Sequence, residues 1–272
     1  MKKTISSLAK HIICLILSVI VLAPFYMVLI NSLKSKGEAA RMSLALPTEW
    51  HFENYLEVID KANLIEGFIN SLTYATIATL VGVIGCSMAA FVMARNRTKL
   101  NTFLYYFIIC GLFFPVNYVT LVKVLQMAHL ANTKPGIVIA FISSMIPFCV
   151  FTIRNFISSI PIELDEAAVM DGCGPLTLFF KIVVPLLKPT LVTCFILQFM
   201  GIWSDFLTPL YLSNSSRMYP MTMSVYQFFG KNMRYWQYVF ADIILTCLPV
   251  IIVYLIGQKY IVGGLTSGGV KE

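Results

Sequence analysis

The sequence predicts an all-α integral membrane protein with six transmembrane helices. Two observations support this prediction, the residue composition and the distribution of apolar stretches. The chain has 272 residues, of which 58% are hydrophobic and only 12% are charged. A soluble domain has about 25% charged residues, so this composition indicates a chain that lies in lipid. A spanning helix needs about 20 mostly apolar residues, and we expect such helices at residues 12–33, 70–94, 102–122, 136–154, 190–212 and 240–258.

The first stretch is predicted to be an uncleaved helix of a single domain. Its start is basic, with Lys2, Lys3 and Lys10. Its apolar run is longer than the roughly 7–15 residues of a signal-peptide core, and no small-residue cleavage pattern follows it. Since no composition change marks a second domain, we expect residues 1–272 to form one transmembrane domain.

The basic residues near the predicted span ends indicate the orientation of the chain. Positive residues collect in short cytoplasmic loops, and the short loop after the second span carries Arg95, Arg97 and Lys99 without an acid. Placing that loop in the cytoplasm also places both termini and the 155–189 segment there. This orientation is therefore the one that the sequence favours.

The segment 158–189 is polar at its start and has the pattern of two short helices joined by a turn. Acidic Glu163, Asp165 and Glu166 fall in early turns, where the helix dipole favours negative charge. Gly172 is placed to end the first helix in the left-handed conformation, and Pro175 can begin the second. Four apolar residues then follow at helical spacing, namely Leu176, Phe179, Phe180 and Val183.

Two further expectations concern the first of these helices. Ser158 or Ser159 precedes it as a possible N-cap, and Ala167 and Ala168 leave so little bulk that another protein can approach closely. The alternative is a helix pair resting on the membrane surface, which favours basic residues on its polar face. The first helix is acidic instead.

This segment and the motifs around it resemble the permease subunits of bacterial ABC importers, in particular the maltose-type carbohydrate-importer subfamily. The matches to the EAA motif of that family are Glu166, Ala167, Ala168, Asp171, Gly172, Phe179, Ile182 and Pro185. Other ordered matches cover nearly the whole chain and lie at Pro24–Lys34, Asn54–Tyr55, Asn70–Leu72, Ala89–Arg95, Trp203–Leu207 and Gly263–Lys271.

The resemblance implies a type I ABC importer permease fold, in which residues 158–189 (the EAA loop below) couple the chain to a separate ATPase. It implies a heterodimer with a second, homologous permease, each forming half of the translocation pore. Two ATPase subunits at the cytoplasmic face bind ATP and Mg²⁺, and an extracytoplasmic binding protein delivers an oligosaccharide or related polyol. Transport then proceeds by alternating access across the bacterial cytoplasmic membrane.

The sequence itself gives no sign of catalysis, a cofactor, a metal site or nucleic-acid binding. Phosphate-binding and hydrolase motifs are missing, so we expect no enzyme activity in this chain. The seven cysteines have no metal-ligand spacing and are expected to pack as small apolar residues. The net charge of +7 forms no clustered basic face of the kind that binds nucleic acid.

Two acids within the predicted spans are candidates for the translocation path, because charge inside a membrane is costly. Asp205 follows Trp203 in the fifth span, and Asp242 opens the sixth. Each can accept a sugar hydroxyl or contact a gate. The alternative for both is a structural hydrogen bond between helices or an exposed position at the outer end.

Two outer segments, 34–69 and 213–238, are where an external binding protein can sit, and short helices are expected in the first of them.

Two other functions are alternatives to import by an ABC permease. A secondary transporter of a small polar solute favours internal repeats and paired broken helices, which the sequence does not show. A membrane-embedded enzyme needs a convergent polar cluster, which the sparse polar residues of the spans do not supply.

Overall fold

The structure is a computed structural model that describes residues 2–228 and 235–266, and within those ranges it is all-α. A π turn (Leu178–Val183) and two 3-10 turns (Ser216–Met218 and Val225–Phe228) accompany the α-helices. The α-helices are α1 (Lys2–Ser32), α2 (Lys36–Ala39), α3 (Glu53–Lys61), α4 (Leu64–Arg95), α5 (Lys99–Cys110), α6 (Tyr118–Met127), α7 (Lys134–Ile157), α8 (Glu163–Met170), α9 (Pro175–Thr177), α10 (Val184–Ser204), α11 (Leu207–Leu212), α12 (Met221–Ser224) and α13 (Trp236–Thr266).

Five helical segments of the described chain are long and apolar enough to cross a membrane. They lie at Lys10–Ser32, Leu64–Arg95, Lys134–Ile157, Pro175–Ser204 and Trp236–Tyr260. The shortest has 23 residues, which at 1.5 Å per residue exceeds the roughly 30 Å of a hydrocarbon core. These segments confirm the predicted all-α membrane fold. They contain the second, fourth and sixth predicted spans and overlap the first and the fifth.

The predicted continuous helix over 102–122 is wrong, because α5 and α6 are separated by a break. Pro115 lies in the break, where it offers no N–H and disfavours helix in the residue before it. The Asn117 side chain caps the start of α6. The break lies against α7, since a Cβ added to Gly111 would come within 2.8 Å of Pro147 Cγ. A glycine there leaves room for the Pro147 ring of α7.

The fifth predicted span, 190–212, also differs from the structure. The helical path begins at Pro175 within the EAA loop and runs through the π turn into α10. It stops at Ser204, because Asp205 adopts an extended conformation with ψ 124°. The short helix α11 then continues the chain.

The described residues fall into two compact units. One contains the chain up to Gly67 together with Met223–Pro249, and the other contains Phe68–Thr222 and the chain from Val250 onward. The EAA loop, the α5–α6 break and Asp205 belong to the second unit, whereas Asp242 belongs to the first.

A buried polar network ties the end of α1 to the following segment in the first unit. Lys34, only 1% exposed, donates to Asn31 Oδ1, to the Ser43 carbonyl and to Ser43 Oγ at 3.1, 2.8 and 3.0 Å. Asn54 donates to the carbonyls of Ser32 and Lys34 at 2.9 and 3.0 Å. Burial lowers the pKa of Lys34, and the three acceptors satisfy its three donors.

The second unit has an apolar core in which α4, α7, α10 and the EAA loop all take part. Its buried members include Ala90, Ala94, Met145, Cys149, Ile153, Ile157, Ala168, Phe179, Val183, Leu187 and Cys194. Cys86, Cys149 and Cys194 are buried free thiols, as expected for cysteines that pack as small apolar residues. Cys14, Cys110 and Cys247 are exposed instead, so the expectation fails for them.

Candidate functional site

The EAA loop begins with a short helix that no side chain caps. Helix α8 starts after Ile162, without a side-chain cap. The hydroxyls of Ser158 and Ser159 instead donate back to the carbonyls of Arg154 and Phe156, at 3.0 and 2.7 Å. The prediction that one of these serines caps the helix is therefore wrong. Both serines close the end of α7.

The turn after α8 is a Schellman motif centred on Gly172. The Gly172 N–H donates to the Val169 carbonyl and the Cys173 N–H to the Ala168 carbonyl, both at 3.0 Å. This pairing satisfies two carbonyls at the helix end. Gly172 has φ +82°, which confirms the predicted left-handed turn. A Cβ would meet nothing within 4 Å, so the backbone conformation is what favours glycine.

The second helix of the EAA loop is continuous with a spanning helix. It begins at Pro175, as predicted, and passes through the π turn Leu178–Val183 directly into α10. The predicted boundary at residue 190, between the EAA loop and the fifth span, is therefore not an interruption of the helix. A π turn inserts an extra residue into an α-helical path and is frequent at functional sites.

The predicted coupling residues divide between an exposed and a buried side of the loop. Ala168 and Phe179 are 5% and 3% exposed and face the core of the second unit. Phe179 packs against Phe91 with ring centroids 5.5 Å apart. Ile182 is half-buried. The residues that the structure leaves exposed are Glu166, Ala167, Asp171, Gly172 and Pro185.

The exposed side of the EAA loop is apolar as well as acidic. Met170 is 86% exposed and Val169 is 57% exposed, next to the exposed Glu166 and Asp171. Leu176 and Phe180 add apolar surface, at 63% and 51% exposure, from the second helix. An exposed apolar surface rimmed by polar groups is typical of an interaction site.

An ion pair that sequence reasoning missed fastens the loop to the end of α4. Arg95 Nε donates to Asp165 Oδ2 at 2.6 Å, and Arg95 Nη1 donates to the Ile160 carbonyl at 3.1 Å. The Arg95 and Asp165 side chains are only 15% and 11% exposed. The sequence assigned Arg95 to the orientation charges and to the Ala89–Arg95 motif match, but to no partner. The sequence shows a basic residue that ends one span and an acid in the first turn of a loop helix, but it does not specify that these two residues meet.

The structure places the first candidate acid of the translocation path at the break after α10. Asp205 Oδ1 accepts from the Thr208 N–H at 3.0 Å, and Oδ2 accepts from Thr208 Oγ1 at 2.6 Å. Its neighbour Trp203 is 2% exposed and packs against Phe68 and Phe199, with ring centroids 5.7 and 5.9 Å apart. The carboxylate thus holds the first turn of α11, and the indole lies in the core.

The second candidate acid, Asp242, lies near the start of α13 and is 1% exposed. Ser224 Oγ donates to its Oδ1 at 2.7 Å. Both acids therefore make hydrogen bonds of the kind that the structural alternative requires.

Side chains near the start of α4 fasten the segment before α12. Asn70 Nδ2 donates to the carbonyls of Arg217 and Tyr219 at 2.9 and 3.1 Å. Lys134 Nζ in turn donates to Asn70 Oδ1 at 2.7 Å, and Tyr74 OH donates to the Met218 carbonyl at 3.0 Å. Part of the predicted 213–238 surface, residues 229–234, lies outside the described residues, as do residues 267–271 of the motif Gly263–Lys271.

Comparison with known proteins decides the family. The profile of the family "Binding-protein-dependent transport system inner membrane component" matches residues 82–266, which include the whole EAA loop. The chain belongs to this family. As a binding-protein-dependent transport component, it matches the fold class and the resemblance that its motifs predict.

Relatives of this transport component agree with that assignment over most of their length. The diacetylchitobiose uptake system permease protein NgcG of Streptomyces coelicolor is 32% identical, over 95% of this chain and 87% of that protein. The melibiose/raffinose/stachyose import permease protein MelC of Bacillus subtilis is 34% identical, over 97% of each chain. A crystal structure of a bacterial ABC transporter involved in alginate import contains a chain with the same fold, at TM-score 0.85 and 21% identity, covering 96% of this chain and 98% of that chain.

The Gly172 turn generates a local prediction. Gly172→Val should strain the backbone by about 1–3 kcal/mol, because a β-branched residue disfavours positive φ. Hydrogen exchange of the Gly172-position and Cys173 amides should accelerate about tenfold or more. Gly172→Asn is the matched control, since asparagine tolerates this conformation, and it should keep exchange near that of the wild type. Equal exchange in both variants would contradict the assigned turn.

Proposed function

We propose that this chain is a permease subunit of a binding-protein-dependent ABC importer for an oligosaccharide or a related polyol. The observation that carries the proposal is a family match over residues 82–266 together with an EAA loop whose exposed side is apolar and acidic. A second, homologous permease supplies the other half of the pore in a heterodimer. A loaded extracytoplasmic sugar-binding protein releases its cargo into that pore.

The EAA loop is where two ATPase subunits couple to the permease pair, one to each loop. Val169, Met170, Leu176 and Phe180 offer apolar surface for burial, and Glu166 supplies a carboxylate for a basic residue of the ATPase. ATP and Mg²⁺ are held by that ATPase, since this chain carries no phosphate-binding motif. Closure of the ATPase pair on ATP then moves the loops and switches the pore between inward-facing and outward-facing states.

The carbohydrate class of the substrate rests on the relatives. The names of NgcG and MelC describe uptake of diacetylchitobiose and of melibiose, raffinose and stachyose. The comparisons give no support to a secondary transporter. Asp205 and Asp242 remain candidate contacts of the translocation path through rearrangement of their present hydrogen bonds. Trp203, two residues before Asp205, is the third candidate.

The chain crosses the bacterial cytoplasmic membrane six times, with both termini and the EAA loop in the cytoplasm. Five crossings are the long apolar helices. Helices α5 and α6 together supply the remaining one, the third in chain order, as an interrupted span. They contain 12 and 10 residues, or about 33 Å of helix at 1.5 Å per residue, which matches a hydrocarbon core of about 30 Å. An even number of crossings puts both termini on the same side of the membrane. The basic loop Arg95–Lys99 supports the cytoplasm as that side.

The orientation predicts which membrane side labels each loop. In a background with Cys14, Cys110, Cys173 and Cys247 replaced by alanine, the buried thiols can stay. Glu163→Cys should react with a membrane-impermeant maleimide only in inside-out vesicles. Asn214→Cys, exposed in the opposite predicted loop, is the matched control and should react only in right-side-out vesicles. Labelling of position 163 from the outside would overturn the orientation.

The substrate proposal is tested by uptake in a strain that lacks this chain. Radiolabelled diacetylchitobiose, melibiose, raffinose and stachyose are each offered, with methionine as an amino-acid control. Complementation should restore uptake of at least one saccharide by about tenfold or more, and leave methionine uptake unchanged. Loss of methionine uptake alone in the deletion strain would refute a carbohydrate substrate.

The docking proposal predicts a specific defect for Glu166→Lys. Reversing this exposed charge places it against a basic groove, and the loss of an interface ion pair typically costs about 2–5 kcal/mol. The amount of ATPase that co-purifies with the permease should fall at least about tenfold, while insertion in the membrane stays normal. Glu49→Lys makes the same charge change at an exposed position on the opposite predicted side and should retain the ATPase. Equal ATPase recovery from both variants would exclude Glu166 from the docking surface.

A further inference from the structure

We propose that Arg95 and Asp165 are a positioning pair that carries movement of the EAA loop into α4. The inference rests on the proposed docking of an ATPase on that loop. Helix α7 leads into the loop and α10 leads out of it, so both are joined to it covalently. Helix α4 has no such link, because 70 positions separate Arg95 from Asp165. Only non-covalent contacts can make α4 follow the loop.

The guanidinium of Arg95 holds the loop at two points. Its Nε and Nη2 donate to the two carboxylate oxygens of Asp165, at 2.6 and 3.5 Å. Its Nη1 donates at 3.1 Å to the carbonyl of Ile160, which precedes α8. One planar group therefore fixes both the approach to the helix and its first turn, a geometry that arginine supplies and lysine does not.

The pair lies on the reverse side of the proposed docking surface. Asp165 and Ala168 are spaced three residues apart and form the buried side of α8, whereas Glu166, Val169 and Met170 are exposed. A displacement applied to the exposed side therefore reaches the bundle through Asp165 and Ala168. Because the Asp165–Arg95 contact is charged and largely buried, separating the two groups would leave each one uncompensated.

A second, apolar contact joins the loop to the same helix but cannot replace the ion pair. Phe91 of α4 packs on Phe179, which belongs to the π turn and moves with α10. The ion pair is the polar contact that joins α8 itself to α4 among the described hydrogen bonds. Loss of the pair should leave α8 docked to its ATPase while its movement reaches α4 poorly.

The test compares transport with hydrolysis in one purified complex. The full chain is affinity-tagged and isolated with its native ATPase and partner permease, then reconstituted in proteoliposomes with the binding protein. ATP hydrolysis is measured alongside uptake of whichever of diacetylchitobiose, melibiose, raffinose or stachyose the wild type transports. The variants are Asp165→Asn, Arg95→Lys, Asp165→Arg and the exchanged pair Arg95→Asp/Asp165→Arg. Arg97→Gln is the matched control, because Arg97 is an exposed basic residue two positions after Arg95.

Asp165→Asn and Arg95→Lys should lower the number of sugar molecules transported per ATP at least about fivefold, in the range of a typical coupling between sites. The amount of ATPase in the complex should stay unchanged. The exchanged pair should recover part of the ratio relative to Asp165→Arg alone, since the helix dipoles oppose the reversed charges. Arg97→Gln should retain the wild-type ratio.

A pair that only stabilises the fold would lower the amount of complex and leave the ratio of transport to hydrolysis intact. A wild-type ratio in Asp165→Asn and Arg95→Lys, at any yield of complex, overturns the proposal. So does an exchanged pair that is no better than Asp165→Arg alone. Failure of the proposed function has a different signature, because the wild-type complex itself would then contain no ATPase or transport none of the four saccharides.

Discussion

Polar groups that enter the membrane must find their partners within the protein, and the rest of the structure follows from this constraint. Helices satisfy the backbone, and several polar side chains of the spans find partners within the protein. Thr193 donates to the carbonyls of Pro189 and Tyr260, at 3.0 and 2.9 Å. Asp205 and Asp242 accept from neighbouring hydroxyls. These polar side chains thus form hydrogen bonds that join one helical segment to another.

The EAA loop meets the same constraint differently, because it has two unlike sides. Its buried side carries Ala168 and Phe179 into the core of the second unit, together with the one carboxylate that Arg95 neutralises. Its other side keeps large apolar residues exposed, with Met170 the most extreme at 86%. A loop that only connects two helices needs neither core contacts on one side nor large exposed apolar residues on the other. Burial on one side and exposed apolar surface on the other together indicate a segment held firmly for a partner.

The features that the sequence predicted correctly are local ones, although not every local feature was predicted. The turn at Gly172 and the helix start at Pro175 depend on backbone preferences of single residues, and both were predicted. The break at Pro115 was as local but was masked by the high hydropathy around it. The hydrogen bonds that Asp205 accepts from Thr208, three residues later, were also local and were also not predicted. The Arg95–Asp165 contact was not predictable, because nothing in one sequence specifies which of several charges meet across 70 positions.

The π turn Leu178–Val183 has a consequence for how the chain tolerates changes of length. An α-helix turns by about 100° per residue, so removing one residue from α10 would rotate every later side chain relative to the EAA loop. The π turn already holds one residue more than an α-helical path needs. A deletion within it can close to ordinary α-helix and leave the faces on either side in phase. Between α8 and the membrane, the chain thus contains one residue whose removal need not change the rotation of the spanning helix that follows.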